Sequence, residues 1–298
     1  MCGARRGLPA APAHRLKQGV PVAEPVAPAW LVTGCSTGIG RAIARAALEK
    51  GYRVAVTARD VSRVEDLVSD FPDRSLPIAL DVTVPEQVRA AVTETEAAFG
   101  QLDVLVNNAG YGYLAAVEEG EDAEIRKVFE TNYFGVISMI KAVLPGMRSR
   151  RSGHIINISS TTGLIGNPGV AYYSSSKFAL EGLTEALSKE MAPFGIKVLL
   201  VEPGAFRTDW AKRSMRETGQ PITDYDATVG ARRAMIRSND DTLYGDPRRV
   251  GDALLMLVEL EEPPLRLLVG RDAYEAFDEK LRGLRESLEE WKAFTLGE

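Results

Sequence analysis

An apolar run at Trp30–Val32 passes straight into Thr33-Gly34-Cys35-Ser36-Thr37-Gly38-Ile39-Gly40, and a helical period follows over 39–50. Glycines at 34, 38 and 40 let the backbone turn tightly and let the helix pack close to the strand that feeds it. A strand that runs directly into a helix points to a parallel neighbour reached by a helical crossover, the βαβ unit. The rest of the chain repeats this alternation. Apolar or β-branched runs recur at Arg53–Thr57, Leu76–Leu80, Val104–Val106, His154–Ile158, Lys197–Val201 and Arg266–Val269, several of them continuous, as in strands buried on both faces. Helical periods lie between them near 60–69, 85–99, 122–150, 170–192 and 247–260, and a last amphipathic helix spans about 272–293. Asp246-Pro247 reads as an N-cap followed by a first-turn proline. The pattern predicts an α/β protein, a single Rossmann-type doubly wound parallel sheet flanked by helices on both faces, over residues 29–298.

Two segments break the rhythm. Residues 1–28 are dominated by Ala, Pro, Arg and Gly, lack an amphipathic period, and read as a disordered N-terminal extension. Residues 206–245 are rich in charge and turn formers yet carry Phe206, Trp210, Met215, Tyr225 and Met235. An irregular insertion after a strand's carboxyl end lies where open α/β sheets bind ligands, so a substrate lid is expected there.

Composition removes whole classes of function. The net charge of -5, with acids and bases interspersed, argues against nucleic acid as a partner. No apolar run approaches the roughly 20 residues of a membrane span. Cys2 and Cys35 cannot build a disulfide framework, so a cytoplasmic location is expected. His14 and His154 are the only histidines, which leaves almost nothing for a Ser-His-Asp triad or a His-rich metal site; no metal is expected.

The glycine turn, set between strand and helix, reads as a nucleotide cradle, because the helix N-terminus offers partial positive charge to phosphates. The choice of nucleotide rests on the end of the second strand, Thr57-Ala58-Arg59-Asp60. A carboxylate there suits the 2′-hydroxyl of NAD, and an arginine suits the 2′-phosphate of NADP. Ala58 has no carboxylate, Arg59 follows it, and Asp60 suits an N-cap for the next helix. NADP(H) is therefore favoured, with NAD(H) as the alternative. Much later in the chain Tyr173 and Lys177 stand four residues apart, on one helix face. An ammonium beside a phenol favours the phenolate and lowers its pKa, making a group able to exchange a proton with an alcohol or carbonyl oxygen.

With these residues in view, the chain resembles the short-chain dehydrogenase/reductase family, in its main non-extended branch, from Trp30 to about Gly270. The motifs stand in that family's order: TGxxxGIG at 33–40, Asp81-Val82, Asn107-Asn108-Ala109-Gly110, Asn132, Ser159-Ser160, Tyr173 with Lys177, then Pro203-Gly204 with Thr208. The resemblance implies a catalytic tetrad of Asn132, Ser160, Tyr173 and Lys177. Ser160 is preferred to Ser159 because it lies thirteen residues before Tyr173, the family's usual interval. It further implies that Gly34, Ser36, Thr37, Gly38, Ile39, Gly40 and Arg59 hold the cofactor together with Asp81, Val82, Asn108, Ala109 and Gly110. Pro203, Gly204, Phe206 and Thr208 are implied at the nicotinamide end, with Tyr173 and Lys177. The reaction implied is hydride transfer between NADPH and a carbonyl carbon, Tyr173 protonating the oxygen and Ser160 bonding it. A homo-oligomer, dimer or tetramer, is also implied. The chain departs from the family at its end, where Val269-Gly270-Arg271-Asp272 and an additional helix replace the common DGG-like finish.

The residues expected around the nicotinamide are bulky and mostly apolar: Tyr111, Tyr113, Leu114, Leu164, Ile165, Phe206 and Trp210. They suit a small hydrophobic ketone or secondary alcohol. Two other readings use the same fold, a cofactor-binding regulatory protein without turnover and a related epimerase or dehydratase. The proton relay argues against the first, and the glycine spacing against the second. Cys35 is expected to be a small turn filler and His154 a structural residue at a strand start.

Overall fold

The computed structural model describes residues 27–208, 213–238 and 245–298. The extension expected over 1–28 lies almost wholly outside the described residues, as does Trp210. Nine strands are present: β1 (Ala29–Val32), β2 (Arg53–Ala58), β3 (Ser75–Ala79), β4 (Val104–Asn107), β5 (Gly112–Leu114), β6 (Gly153–Ile158), β7 (Ile196–Pro203), β8 (Met215–Glu217) and β9 (Arg266–Val269) among the described residues. The helices are α1 (Gly38–Glu49), α2 (Glu65–Asp70), α3 (Pro85–Phe99), α4 (Asp122–Phe129), α5 (Gly135–Arg150), α6 (Ala171–Met191), α7 (Ala231–Ser238), α8 (Arg248–Glu259), α9 (Arg271–Glu290) and α10 (Lys292–Leu296).

Seven strands form one parallel sheet in the order β3-β2-β1-β4-β6-β7-β9. All seven strands predicted from the sequence are present. Alternate side chains feed two cores. Trp30, Val32, Val54, Val56, Val106 and Val201 pack with Ile43 and Leu48 of α1 and Val250, Leu254 and Leu257 of α8. Leu31, Ala55, Leu105, Ile155 and Val198 pack on the other face with Val92, Met139, Val143 and Leu180 of α3, α5 and α6. Burial on both faces explains the continuous apolar runs. Chain direction across the sheet reverses between β1 and β4, so the carboxyl ends of these strands border the crevice in which such sheets take ligands.

Three features are absent from the sequence reading. The helical period over 122–150 is broken by a five-residue π-helical stretch, Glu130–Phe134, with Asn132 buried inside it. Single π turns are frequent at functional sites because they turn one side chain out of register. The second feature is a small parallel sheet, β5 with β8, pairing Gly112 with Met215, Tyr113 with Arg216 and Leu114 with Glu217. The segment read as an irregular lid thus contains a strand, a π turn at Asp226–Gly230 and α7. It is fastened by Glu119, fully buried, which accepts the N–H groups of Ala116 (2.7 Å) and Ile222 (2.8 Å) and pairs with the guanidinium of Arg233. Third, α9 leaves the body: Ala273 is buried, Phe277 is half-buried, and every residue from Asp278 to Glu298 is exposed. Among the described residues no helix is long and apolar enough to cross a membrane.

Candidate active site

The glycine turn is held by its neighbours rather than by its own side chains. Gly34 and Gly38 have φ of +74° and +61°, the left-handed region that side chains avoid. A Cβ on Gly40 would overlap Asn108 Nδ2 and the Gly34 carbonyl oxygen, and one on Gly34 would lie 3.0 Å from Ala109 Cα. Asn108 Nδ2 donates to the carbonyls of Thr33 (2.9 Å) and Gly34 (3.1 Å), while Thr33 Oγ1 accepts the N–H groups of Asn108 and Ala109. The turn is thereby fastened to the end of β4. Beyond it α1 begins with no side-chain cap from Thr37 and no acid in its first turn. Its first N–H groups face the crevice, with the helix dipole behind them, and the cradle fits a pyrophosphate. Ser36 and Ile39 flank it, half-buried, and Thr208 lies over Gly38, its Cβ 3.3 Å from where a glycine Cβ would stand.

At the end of β2, Arg59 and Asp60 are exposed. Asp60 caps the next turn as expected, accepting from Ser62 N (3.1 Å) and Ser62 Oγ (2.8 Å), bonds that hold its carboxyl below the usual range. After β3, Asp81 accepts from Thr83 N and Oγ1, and Val82 is buried against Gly135. After β4, Gly110 approaches Asn132, whose Oδ1 would stand 3.1 Å from a Cβ there.

The four residues of the implied tetrad converge at this edge of the sheet. Tyr173 is buried, and its hydroxyl is hydrogen-bonded with Ser160 and Thr162. Ser160 Oγ also accepts from Thr162 N (3.2 Å) and Thr162 Oγ1 (3.0 Å). Lys177, buried one turn along α6, places Nζ 5.8 Å from the Tyr173 ring centroid and donates to the Ile158 carbonyl at 2.8 Å. Asn132 donates to the Tyr111 carbonyl (2.9 Å) and Ser176 Oγ (3.1 Å) and accepts from Tyr111 N (3.1 Å).

The electrostatics correct one expectation. Burial pushes the Tyr173 phenol up to about 12, against the opposing bonds to Ser160 and Thr162, where a pKa lowered by the lysine was expected. Burial also pushes Lys177 down to about 8, opposed by the charge of Glu181. Desolvation outweighs the bonds to Ser160 and Thr162, so the resting tyrosine is the phenol.

Behind Lys177 lies a group that the sequence reading passed over. Glu202 of β7 is fully buried with neither oxygen hydrogen-bonded, and burial first, then Glu181, pushes it up to about 8. Glu181 is raised by burial as well. Both carboxyls face Arg266, whose Nε lies 3.2 Å from Glu181 and 3.7 Å from Glu202. The signals were an acid one helical turn after Lys177 and an acid closing the apolar run Val198–Val201.

The substrate side differs more from expectation. Tyr113 is a core residue: its ring stacks on Tyr172 at 6.1 Å and its hydroxyl accepts Glu121 N (3.2 Å). Leu114 is likewise buried, packed with Tyr173, Val170 and Met215. Phe206 belongs to the main core beside α1 and α8, bridged to Gly245. Tyr111 is half-buried under the Arg216 guanidinium, 5.0 Å from its ring, and Leu164 and Ile165 are half-buried after the turn that Ser160 caps. Residues missed from the sequence are Thr162, Met215 and Ile236, the last packed beside Tyr173 from α7, and Asp272. Asp272 accepts Ala205 N at 2.7 Å and fills the space above Gly204, tying the root of α9 to the turn after β7. Cys35 is a buried turn filler with its thiol pushed up to about 12 by burial, and His154 sits half-buried at the start of β6 with its pKa lowered by desolvation.

Comparison with known proteins agrees with this geometry. The family model described as short chain dehydrogenase matches residues 28–219. The 3-ketodihydrosphingosine reductase of Bacteroides thetaiotaomicron is 40% identical over 245 residues, 80% of this chain and 87% of its own length. The crystal structure of a short-chain dehydrogenase from Streptomyces avermitilis superposes with a TM-score of 0.85 at 42% identity, covering 91% of this chain and 98% of that one. An alcohol dehydrogenase from the archaeon Thermococcus sibiricus, complexed with 5-hydroxy-NADP, superposes with a TM-score of 0.67 at 27% identity over 81% of this chain and 95% of that one.

Proposed function

This chain belongs to the short chain dehydrogenase family, an oxidoreductase built for a nicotinamide cofactor, and from that premise we propose that it reduces a hydrophobic ketone to a secondary alcohol with NADPH, or runs the reverse oxidation. One observation carries the reading: the buried Tyr173 phenol, bonded to Ser160 and Thr162, stands one helical turn from the buried Lys177 beside the cradle. When bound there, the nicotinamide supplies or accepts the hydride. Every other task falls to the chain. Tyr173, held as the phenol by burial, donates its proton to the carbonyl oxygen. Ser160 hydrogen-bonds that oxygen as charge develops on it. The Lys177 ammonium faces the tyrosine and favours its loss of a proton in the transition state. Asn132 fixes the Tyr111 backbone, and the family resemblance implies that it also anchors a water linking Lys177 to solvent. Tyr111, Leu164 and Ile165 line the substrate side, and the described part of the insertion, residues 213–238, covers it.

Arg59 supports NADPH over NADH: it is exposed at the end of β2, while the rival carboxylate of Asp60 is engaged by Ser62. The keto substrate named for the Bacteroides relative supports a ketone. NADPH absorbance followed against a panel of apolar ketones tests the reading. Turnover is expected, with Tyr173→Phe losing roughly 1,000-fold or more in kcat while NADPH binding persists. NADPH binding with no turnover on any ketone favours a regulator, and an active Tyr173→Phe variant rejects the proton donor.

A further inference from the structure

The long helix α9, with Trp291 at its C-cap, carries an exposed apolar seam. Tyr274, Leu281 and Leu288 alternate with Phe277, Leu284 and Trp291 at spacings of three and four residues, the a and d positions of a heptad. Tyr274, Leu281, Leu284, Leu288 and Trp291 are 64%, 49%, 53%, 63% and 57% exposed. Past Phe277 no described part of the body covers them, although Trp291 meets the ring of Phe294 edge-on at 6.2 Å, because α9 projects from the body into solvent. A helix this amphipathic takes its stability from burying its apolar stripe, and Gly283 in its middle lowers its intrinsic propensity further.

We propose that this arm pairs with the arm of a second copy of the chain as an antiparallel two-stranded coiled coil. Charge selects both the partner and the direction. A lipid surface calls for a basic polar face, whereas residues 271–298 carry eight acids against five bases. In a parallel pair the flanking Lys280 meets Arg285 of the second copy, and like charges repel. In the antiparallel register that stacks Leu281 on Leu284, Phe277 on Leu288 and Tyr274 on Trp291, Asp278 faces Arg285 of the second copy, twice by symmetry. Asp278 lies 3.4 Å from Arg282 of its own helix, an exposed contact that yields readily to a new partner. The two bodies then stand at opposite ends of the pair, their helix roots ~30 Å apart at 1.5 Å per residue. The joined seams hide roughly 1,000 Å², the size at which a specific interface begins.

Light scattering on the full chain over a range of micromolar concentrations tests the pairing. Leu284→Lys, at an exposed site that no other part of the body leans on, is expected to halve the measured mass and leave the melting of the body unchanged. Asp278→Arg and Arg285→Asp are each expected to weaken association, and D278R/R285D together to restore it. The proposal is overturned by a monomeric parent chain, by a Leu284→Lys variant of undiminished mass, by a double swap no better than its singles, or by a monomer that sediments with phosphatidylcholine vesicles.

Discussion

The cofactor cradle and the described part of the insertion, residues 213–238, sit at the same edge of the sheet but are built by different means. The cradle is made of backbone: two glycines at positive φ, a third that admits no Cβ, and carbonyls and N–H groups bound by Asn108 and Thr33. The insertion has one short backbone ladder, β5 with β8, and is otherwise held by side chains: Glu119 to Arg233, Arg216 to Glu124, Arg237 to Glu217, and Tyr225 to Glu118. A backbone-built site tolerates almost no substitution at its own positions and takes its shape from local sequence. A side-chain-built wall can be rebuilt by exchanging distant partners, which suits a region that varies with substrate.

The largest test removes the insertion's anchor. Two N–H groups and the Arg233 guanidinium outweigh the burial of Glu119 and hold its carboxyl below the usual range. Glu119→Ala leaves a buried cation and two N–H groups without their acceptor, at a cost of about 3–5 kcal/mol. Limited proteolysis is expected to cut first within 213–238, while NADPH affinity changes less than threefold. A parallel fall in NADPH affinity would show that the two regions are one unit. The converse change is Gly40→Ala, whose Cβ meets Asn108 Nδ2 and the Gly34 carbonyl. NADPH binding by fluorescence titration is expected to weaken roughly 100-fold, about 2.7 kcal/mol, with the insertion's resistance to protease retained.

These contrasts explain what the sequence disclosed. Glycines 34, 38 and 40, Asp60 as a cap, and the Tyr173/Lys177 spacing are local patterns, readable because each is set by bonds within a few residues or by one helix turn, whereas Asn132 and Ser160 were implied only by the family resemblance. Tyr113 looked like a substrate residue because its neighbours in sequence border the cleft, but alternation on β5 and its pairing with β8 turn it into the core. The pairing of residues about 100 apart leaves no local trace. The pKa of Tyr173 was misjudged for a related reason. Spacing reveals the nearby lysine, whereas the burial that outweighs it is a property of the assembled fold.

Two buried carboxyls sharpen the comparison at a smaller scale. Glu119 has its partners and stays ionised; Glu202 has neither oxygen hydrogen-bonded and is pushed up to about 8. The folded state therefore holds a proton on Glu202 that the unfolded chain releases above its ordinary value of 4.5. Stability from this group is complete below that value and is lost as pH rises through about 8. Glu202→Gln keeps the shape without the titration, and its melting temperature is expected to fall less between pH 5 and pH 9 than the parent's. Equal slopes would mean that Glu202 finds a partner in solution.

The smallest expected effect separates the cradle's backbone from the one side chain assigned to cofactor choice. In the proposed reading Arg59, exposed just past the end of β2, meets the cofactor only through a 2′-phosphate. Arg59→Ala is expected to raise the Kd for NADPH about tenfold, or 1.4 kcal/mol, and to leave NADH unchanged. The same variant should leave kcat with saturating NADPH intact, since Ser160 and Thr162, not Arg59, bond the Tyr173 hydroxyl. A loss shared equally by NADPH and NADH would return Arg59 to the structural background and make the dinucleotide choice, like the cradle, a matter of backbone alone.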